Sequence, residues 1–183
     1  MKMKKSNLYG ETIALCKPVR LSELSAEEMR SFHCGNDVID EYIKEHAHKD
    51  AQAVTFAIRD KADGSVICCY SLSCSGFVVE SHHHFTIYPA VEIKMFAMDT
   101  AYQHVPYSSH QDDGTLSDFL FGSVISRIYE FTEKECGADH IILYAVLKAE
   151  NFYLKNGFSR FEEFMLQSKS RFLDGCIPMY MSL

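Results

Sequence analysis

The sequence has no tryptophan, so the aromatic part of its core falls to 13 Phe and 10 Tyr. It lacks any apolar run near the roughly 20 residues a membrane-spanning helix needs, and no membrane association is expected. It also lacks a C-x-x-C pair. The seven cysteines are odd in number, and the adjacent Cys68 and Cys69 point to opposite faces of a strand. That spacing speaks against a zinc site drawn from Cys69, Cys74 and the histidines, so no metal is expected. The cysteines read as reduced thiols behaving as small hydrophobes. An excess of basic residues is missing too. The net charge of −7 tilts against a nucleic-acid partner, because phosphate backbones call for a positive surface, although a local basic patch stays open. Met1-Lys2-Met3-Lys4-Lys5 is basic with no apolar stretch behind it. It therefore reads as no signal peptide, and a cytoplasmic location is expected.

What is present mixes strands and helices without repeats, low-complexity segments or linkers, and residues 1–183 read as one domain. Ile13 to Val19 is expected to be a first strand. Ser25 and Asn36-Asp37 mark two helix starts, the second carrying Val38, Ile39, Tyr42 and Ile43 at helical spacing to about Lys49. Ala53–Arg59 and Val66–Val79 read as strands around the turn signal Asp63-Gly64. His82-His83-His84 is expected in an exposed loop, and Ala90–Met98 in the next strand. Leu116 to Cys136 is the strongest helix, with Leu116, Leu120, Val124 and Ile128 four apart, Phe119, Phe121, Ile125 and Phe131 widening the stripe, and Gly137 as its stop. Ile141–Leu147 is a short apolar strand, Ala149–Asn156 a short helix ended by Gly157, and Phe158–Leu166 and Ile177–Leu183 are closing strands.

Three segments carry a resemblance. Ala149, Asn151, Phe152-Tyr153 and Gly157-Phe158, following the strand at Ile141, are similar to the helix-and-strand ending F-Y-x-x-x-G-F of GNAT acyl-CoA N-acyltransferases. Lys94 to Gln103 resembles that family's central strand and its exit. Phe32-His33-Cys34-Gly35-Asn36 resembles the helix entry of one branch, which includes toxins that acetylate aminoacyl-tRNA; Ser71-Leu72-Ser73 fits the same branch. The resemblance implies an α/β (α+β) fold: one GNAT domain with a mixed central sheet of about six to seven strands and about four flanking helices.

The resemblance also implies roles. Backbone groups of Phe96, Ala97 and Met98 would hold the thioester and pantetheine of acetyl-CoA, the co-substrate. Gln103 and Asn151 match cofactor-binding positions, and Tyr153 matches the acid that protonates the leaving thiolate. The family's glycine-rich pyrophosphate turn is replaced here. Gln103 is followed by His104-Val105-Pro106, and Asp112-Asp113-Gly114-Thr115-Leu116-Ser117 leads into the long helix, with Thr115 and Ser117 at the two glycine positions. Proline has no N–H to give a phosphate, and the two acids repel one; the helix N-terminus still favours an anion. The spacing around Glu92 resembles the general-base strand of histone-acetyltransferase-type members, where the toxin branch has an apolar residue. Period-two alternation puts Glu92, Lys94 and Phe96 on one face, so an ion pair with Lys94 or an exposed strand end is the plainer reading. The histidine run is set down as solvated loop, with acceptor-site lining as the alternative.

These readings together imply acetyl-CoA-dependent N-acetylation of a small-molecule or peptide/protein amine by direct transfer, with Tyr153 as acid and Glu92 as base. Two alternatives stand beside it: a tRNA-directed toxin of a toxin–antitoxin pair, and a GNAT-fold binding protein without turnover. A homodimer stays open.

Overall fold

The structure, a computed structural model, describes residues 13–108, 114–166 and 175–183. The basic stretch Met1 to Lys5 and the acids Asp112 and Asp113 lie outside the described residues. Eight strands, joined in one mixed sheet, and four α-helices occur among the described residues. Contacts group them into two compact units. One combines the chain up to Ser71 with Met95–Val124, and the other combines Leu72–Lys94 with the chain from Ile125.

The first unit holds β1 (Val19–Arg20), α1 (Ala26–Met29), α2 (Asp37–Glu41), β2 (Val54–Arg59), the start of β3 (Val66–Ser81), the end of β4 (His84–Met98) and the first half of α3 (Leu116–Lys134), with the strand path β1-β2-β3-β4. The expected strand over Ile13–Val19 shrinks to Val19–Arg20, paired antiparallel with Ala57 and Phe56, plus an isolated bridge at Leu15. Pro18 supplies no N–H and interrupts the ladder. Both helix starts are capped. Ser25 and Glu28 form a reciprocal capping box, and the Asn36 side chain accepts from the N–H groups of Val38 and Ile39. Each cap is worth about 1 kcal/mol. After Glu41 the helix widens into a π-helical turn, Tyr42–His46, rather than staying α-helical to Lys49. Phe32, Ile43, Ala57, Val66, Cys69, Met95 and Ala97 form the core between these helices and strands.

The second unit holds the rest of β3, β4 and α3, with β5 (His140–Ala145), α4 (Glu150–Lys155), β6 (Ser159–Arg160), β7 (Met165–Leu166) and β8 (Ile177–Ser182). Its path is β3-β4-β5-β8-β6, with β7 on β3. β4 and β5 are parallel, Ala90↔His140 to Ile93↔Leu143, and β5 and β8 are antiparallel throughout. The long helix keeps its stripe: Leu116, Leu120, Phe121, Val124 and Ile128 are at most 1% exposed, whereas Phe119 and Phe131 stand outside it at 38% and 41%. α3 ends at Lys134 without help from Gly137, because Cys136 N–H donates back to the Phe131 carbonyl and closes a wide turn first. Gly157 does adopt the left-handed conformation (φ 89°) that ends α4. The single strand expected over Phe158–Leu166 is two short ones. Between them Phe161 N–H donates to the Pro178 carbonyl and Met165 N–H closes a turn on Glu162.

β4 begins at His84, six residues before its expected start, and the histidine loop is a two-residue hairpin turn with His82 at φ 48° and His83 at φ 69°. Both conformations are left-handed, the pattern of a type I′ turn that Asn-Gly fills best. Replacing His82 with Asn and His83 with Gly is expected to raise stability by about 1 kcal/mol, read as a higher midpoint in thermal unfolding. An unchanged or lower midpoint would refute the strain assignment.

Candidate active site

In the first unit the β4 exit is tied down from several sides. Asp99 accepts from the N–H of His33 (3.0 Å) and of Ala101 (2.9 Å), and Thr100 N–H donates to the His33 carbonyl. The Gln103 amide donates to the carbonyls of Cys34 (2.8 Å) and Met98 (3.0 Å). Gln103, expected to touch the cofactor, therefore spends its amide donors on the backbone of Cys34 and of the expected site residue Met98. Ala97 and Met98 are buried, and Phe96 is half-buried with its ring edge-on to Phe121 (centroids 5.1 Å apart).

Behind that exit, Asp40 accepts from Cys34 N–H (2.8 Å) and contacts His33 Nδ1 (2.5 Å). Burial would raise the Asp40 carboxyl, but its bonds from the Cys34 N–H and thiol and from His33 outweigh that and hold it below the ordinary range. A cysteine, a histidine and an aspartate in one place resemble a nucleophilic set. The Cys34 thiol, however, is pushed up to about 12, by burial first and by Asp40 besides, so it stays protonated at neutral pH. This group is structural: it fixes the loop ahead of α2. In the sequence His33 and Cys34 stood out only within the Phe32-to-Asn36 run that carries the resemblance, and Asp40 gave no signal.

The start of α3 departs furthest from expectation. Thr115 N–H and Oγ1 both donate to Asp118 Oδ2 (2.9 and 2.8 Å), and Asp118 N–H donates back to Thr115 Oγ1 (3.3 Å). Leu116 N–H donates to the Val105 carbonyl (2.8 Å), and the Leu116 side chain is fully buried. Two of the expected phosphate donors, Thr115 and Leu116, thus have their N–H groups engaged within the chain, and a carboxylate already stands at the positive end of the helix. The T-x-x-D pattern of a capping box is legible in the sequence; read as two substituted glycines, it was missed. Ser117 is half-buried beside it.

The second unit carries the expected acid and base. Glu92 lies on β4 abreast of Ile142 of β5, half-buried between the buried Val91 and Ile93. Among the described residues it makes no hydrogen bond or ion pair, with Lys94 or with any other side chain. Tyr153 is buried in α4, its ring edge-on to Phe152 (5.3 Å) and Phe158 (6.0 Å). Asn151 is exposed on the first turn of that helix. Glu150 is buried one residue earlier, and its carboxylate accepts from Arg160 of β6, which secures the helix to the strand that follows it. Among the described residues no three His, Cys, Asp or Glu side chains gather as metal ligands do, and no helix is long and apolar enough to cross a membrane.

No family model and no curated protein matches the sequence. Solved structures do match the fold. A bacterial toxin aligns with a TM-score of 0.71 at 17% identity, over 93% of this chain and 91% of its own. AtaTR bound with AcCoA aligns with a TM-score of 0.64 at 15% identity, over 92% of each chain. AtaT complexed with acetyl-methionyl-tRNAfMet aligns with a TM-score of 0.64 at 15% identity, over 90% and 94%. The topology and these alignments together establish that the chain has the GNAT fold.

Proposed function

We propose that the chain is an acetyl-CoA-dependent N-acetyltransferase, working as one GNAT domain, for a small-molecule or peptide amine. What carries the reading is the fold, combined with a tyrosine at position 153 on the short helix that Gly157 terminates. The backbone of Phe96, Ala97 and Met98 holds the pantetheine and thioester. Asn151 adds a polar contact to the cofactor, and Gln103 keeps the Met98 carbonyl in place. The amine nitrogen attacks the thioester carbonyl, an N–C bond forms and the C–S bond breaks. The amine gives up its proton to Glu92 or to a water that Glu92 orders, and Tyr153 protonates the departing thiolate.

The N-terminus of α3, through Ser117 and the Thr115 groups that Asp118 holds, takes the CoA diphosphate in competition with Asp118, while Leu116 stays bonded to Val105. Asp118→Asn keeps an acceptor for Thr115 but removes the charge. It is expected to tighten acetyl-CoA binding about fivefold at low salt, measured by calorimetric titration against the parent. No heat of binding from either protein at millimolar ligand would refute the acetyltransferase reading and favour a binding protein without turnover.

A second reading, acetylation of aminoacyl-tRNA, is favoured by the fold's likeness to AtaT in complex with acetyl-methionyl-tRNAfMet. The charge of −7 and the carboxylate at position 92 weigh against it. Growth arrest on expression that disappears with Tyr153→Phe, and transfer to aminoacyl-tRNA in vitro, would decide for it.

A further inference from the structure

The second unit has a face whose chemistry describes its ligand. On β4, Tyr88, Ala90 and Glu92 follow one another along that face, and the parallel register sets Ala90 beside His140 and Glu92 beside Ile142. β8 continues it, with Tyr180 beside Ile142. Phe77 fills the centre, only 4% exposed, stacked on Tyr88 (5.4 Å, 11°), edge-on to His140 (5.0 Å) and close to Phe161 (5.5 Å). Phe161 is in turn edge-on to Tyr180 (6.0 Å, 77°). Tyr88, Phe161 and Tyr180 are only half-buried, so the cluster keeps an accessible aromatic surface, and Glu92, without a partner among the described residues, stands next to it.

A bare carboxylate beside an electron-rich aromatic wall complements one kind of group: a protonated amine carried on a flat apolar body. The carboxylate pairs with the ammonium and accepts its proton, while the rings take the apolar part and add cation–π attraction. A phosphate-bearing acceptor meets the opposite, since Glu92 repels it. A polyamine meets one negative charge and a wall that leaves its other ammonium groups unpaired.

We propose that the acceptor is an arylalkylamine, with its ring against Tyr88, Phe161 and Tyr180 and its amine at Glu92; this rests on the acetyltransferase reading above. The missing tryptophan makes a direct test available, because the indole emission of tryptamine reports binding without background from the protein. Titration of the full chain with tryptamine, with acetyl-CoA present, is expected to saturate. Glu92→Gln and Tyr180→Leu should each weaken that binding about tenfold. Turnover with acetyl-CoA is expected to favour 2-phenylethylamine over n-butylamine and spermidine by about tenfold in kcat/KM. Tyr88→Leu should reduce the same preference, which keeps the test intact if the Tyr180 variant does not fold. Equal or better turnover of n-butylamine, spermidine or aminoacyl-tRNA would overturn the arylalkylamine assignment and leave the transferase standing. Absence of acetyl-CoA binding would overturn both.

Discussion

Tyr153→Phe is expected to lower the rate of acetyl transfer under saturating acetyl-CoA by about 10²- to 10³-fold, while the affinity for acetyl-CoA stays the same. A thiolate leaving group has a conjugate acid near pKa 8.5, and a phenol near 10 is close enough to hand it a proton as the C–S bond breaks. Without that donor the thiolate leaves unprotonated, and reversal competes with product formation. The substitution is mild elsewhere. The ring stays, and with it the edge-on contacts to Phe152 and Phe158 that seat α4. A circular dichroism spectrum and melting midpoint close to the parent's are therefore expected alongside the rate loss. Single-turnover measurement of transfer separates the two: an unchanged rate with intact cofactor binding would remove Tyr153 from the chemistry.

How much of this was legible in the sequence depended on whether the signal was local. The four-residue spacing from Leu116 to Ile128 forecast a buried helix face, and each of those residues is at most 1% exposed. Ser25, Asn36 and Gly157 announced helix ends because caps act through neighbouring backbone. Pro89 misled in the other direction. The strand was expected to begin only at Ala90, just past this proline, yet β4 runs through it. The opposing Gly76 has no side chain, and a Cβ there would lie 2.8 Å from the Tyr88 carbonyl oxygen, so the two strands approach closely just where the proline sits. The interactions around the expected site residues were not legible in the sequence. Gln103 was read as a ligand contact from the resemblance at the strand exit; its partners Cys34 and Met98, 69 and 5 residues away along the chain, are linked to it by no spacing rule. Asp118 was overlooked because three-residue capping was overshadowed by a comparison with glycines. Glu92 was singled out as a carboxylate among apolar strand residues, and among the described residues it forms no ion pair with Lys94.

Asp40→Ala is expected to cost about 3 kcal/mol of stability, the largest loss from any single polar change considered. Asp40 is 6% exposed and lies in the second turn's reach of the Asn36 cap, where its carboxylate takes the Cys34 N–H and sits against His33 Nδ1. Truncation strands a part-buried N–H and releases the loop that Asp99 and Gln103 also hold, so urea unfolding should show a lower midpoint with little change in slope. The titration carries a sign. The folded carboxyl lies below its unfolded value of about 3.9, so its contribution is complete above that pH and is lost as pH falls through the folded value. Above about pH 5 the parent's stability advantage over Asp40→Asn should therefore be constant, and below about pH 4 it should shrink. An advantage that persists unchanged to pH 2 would show that hydrogen-bond geometry alone, and not the charge, stabilises the loop.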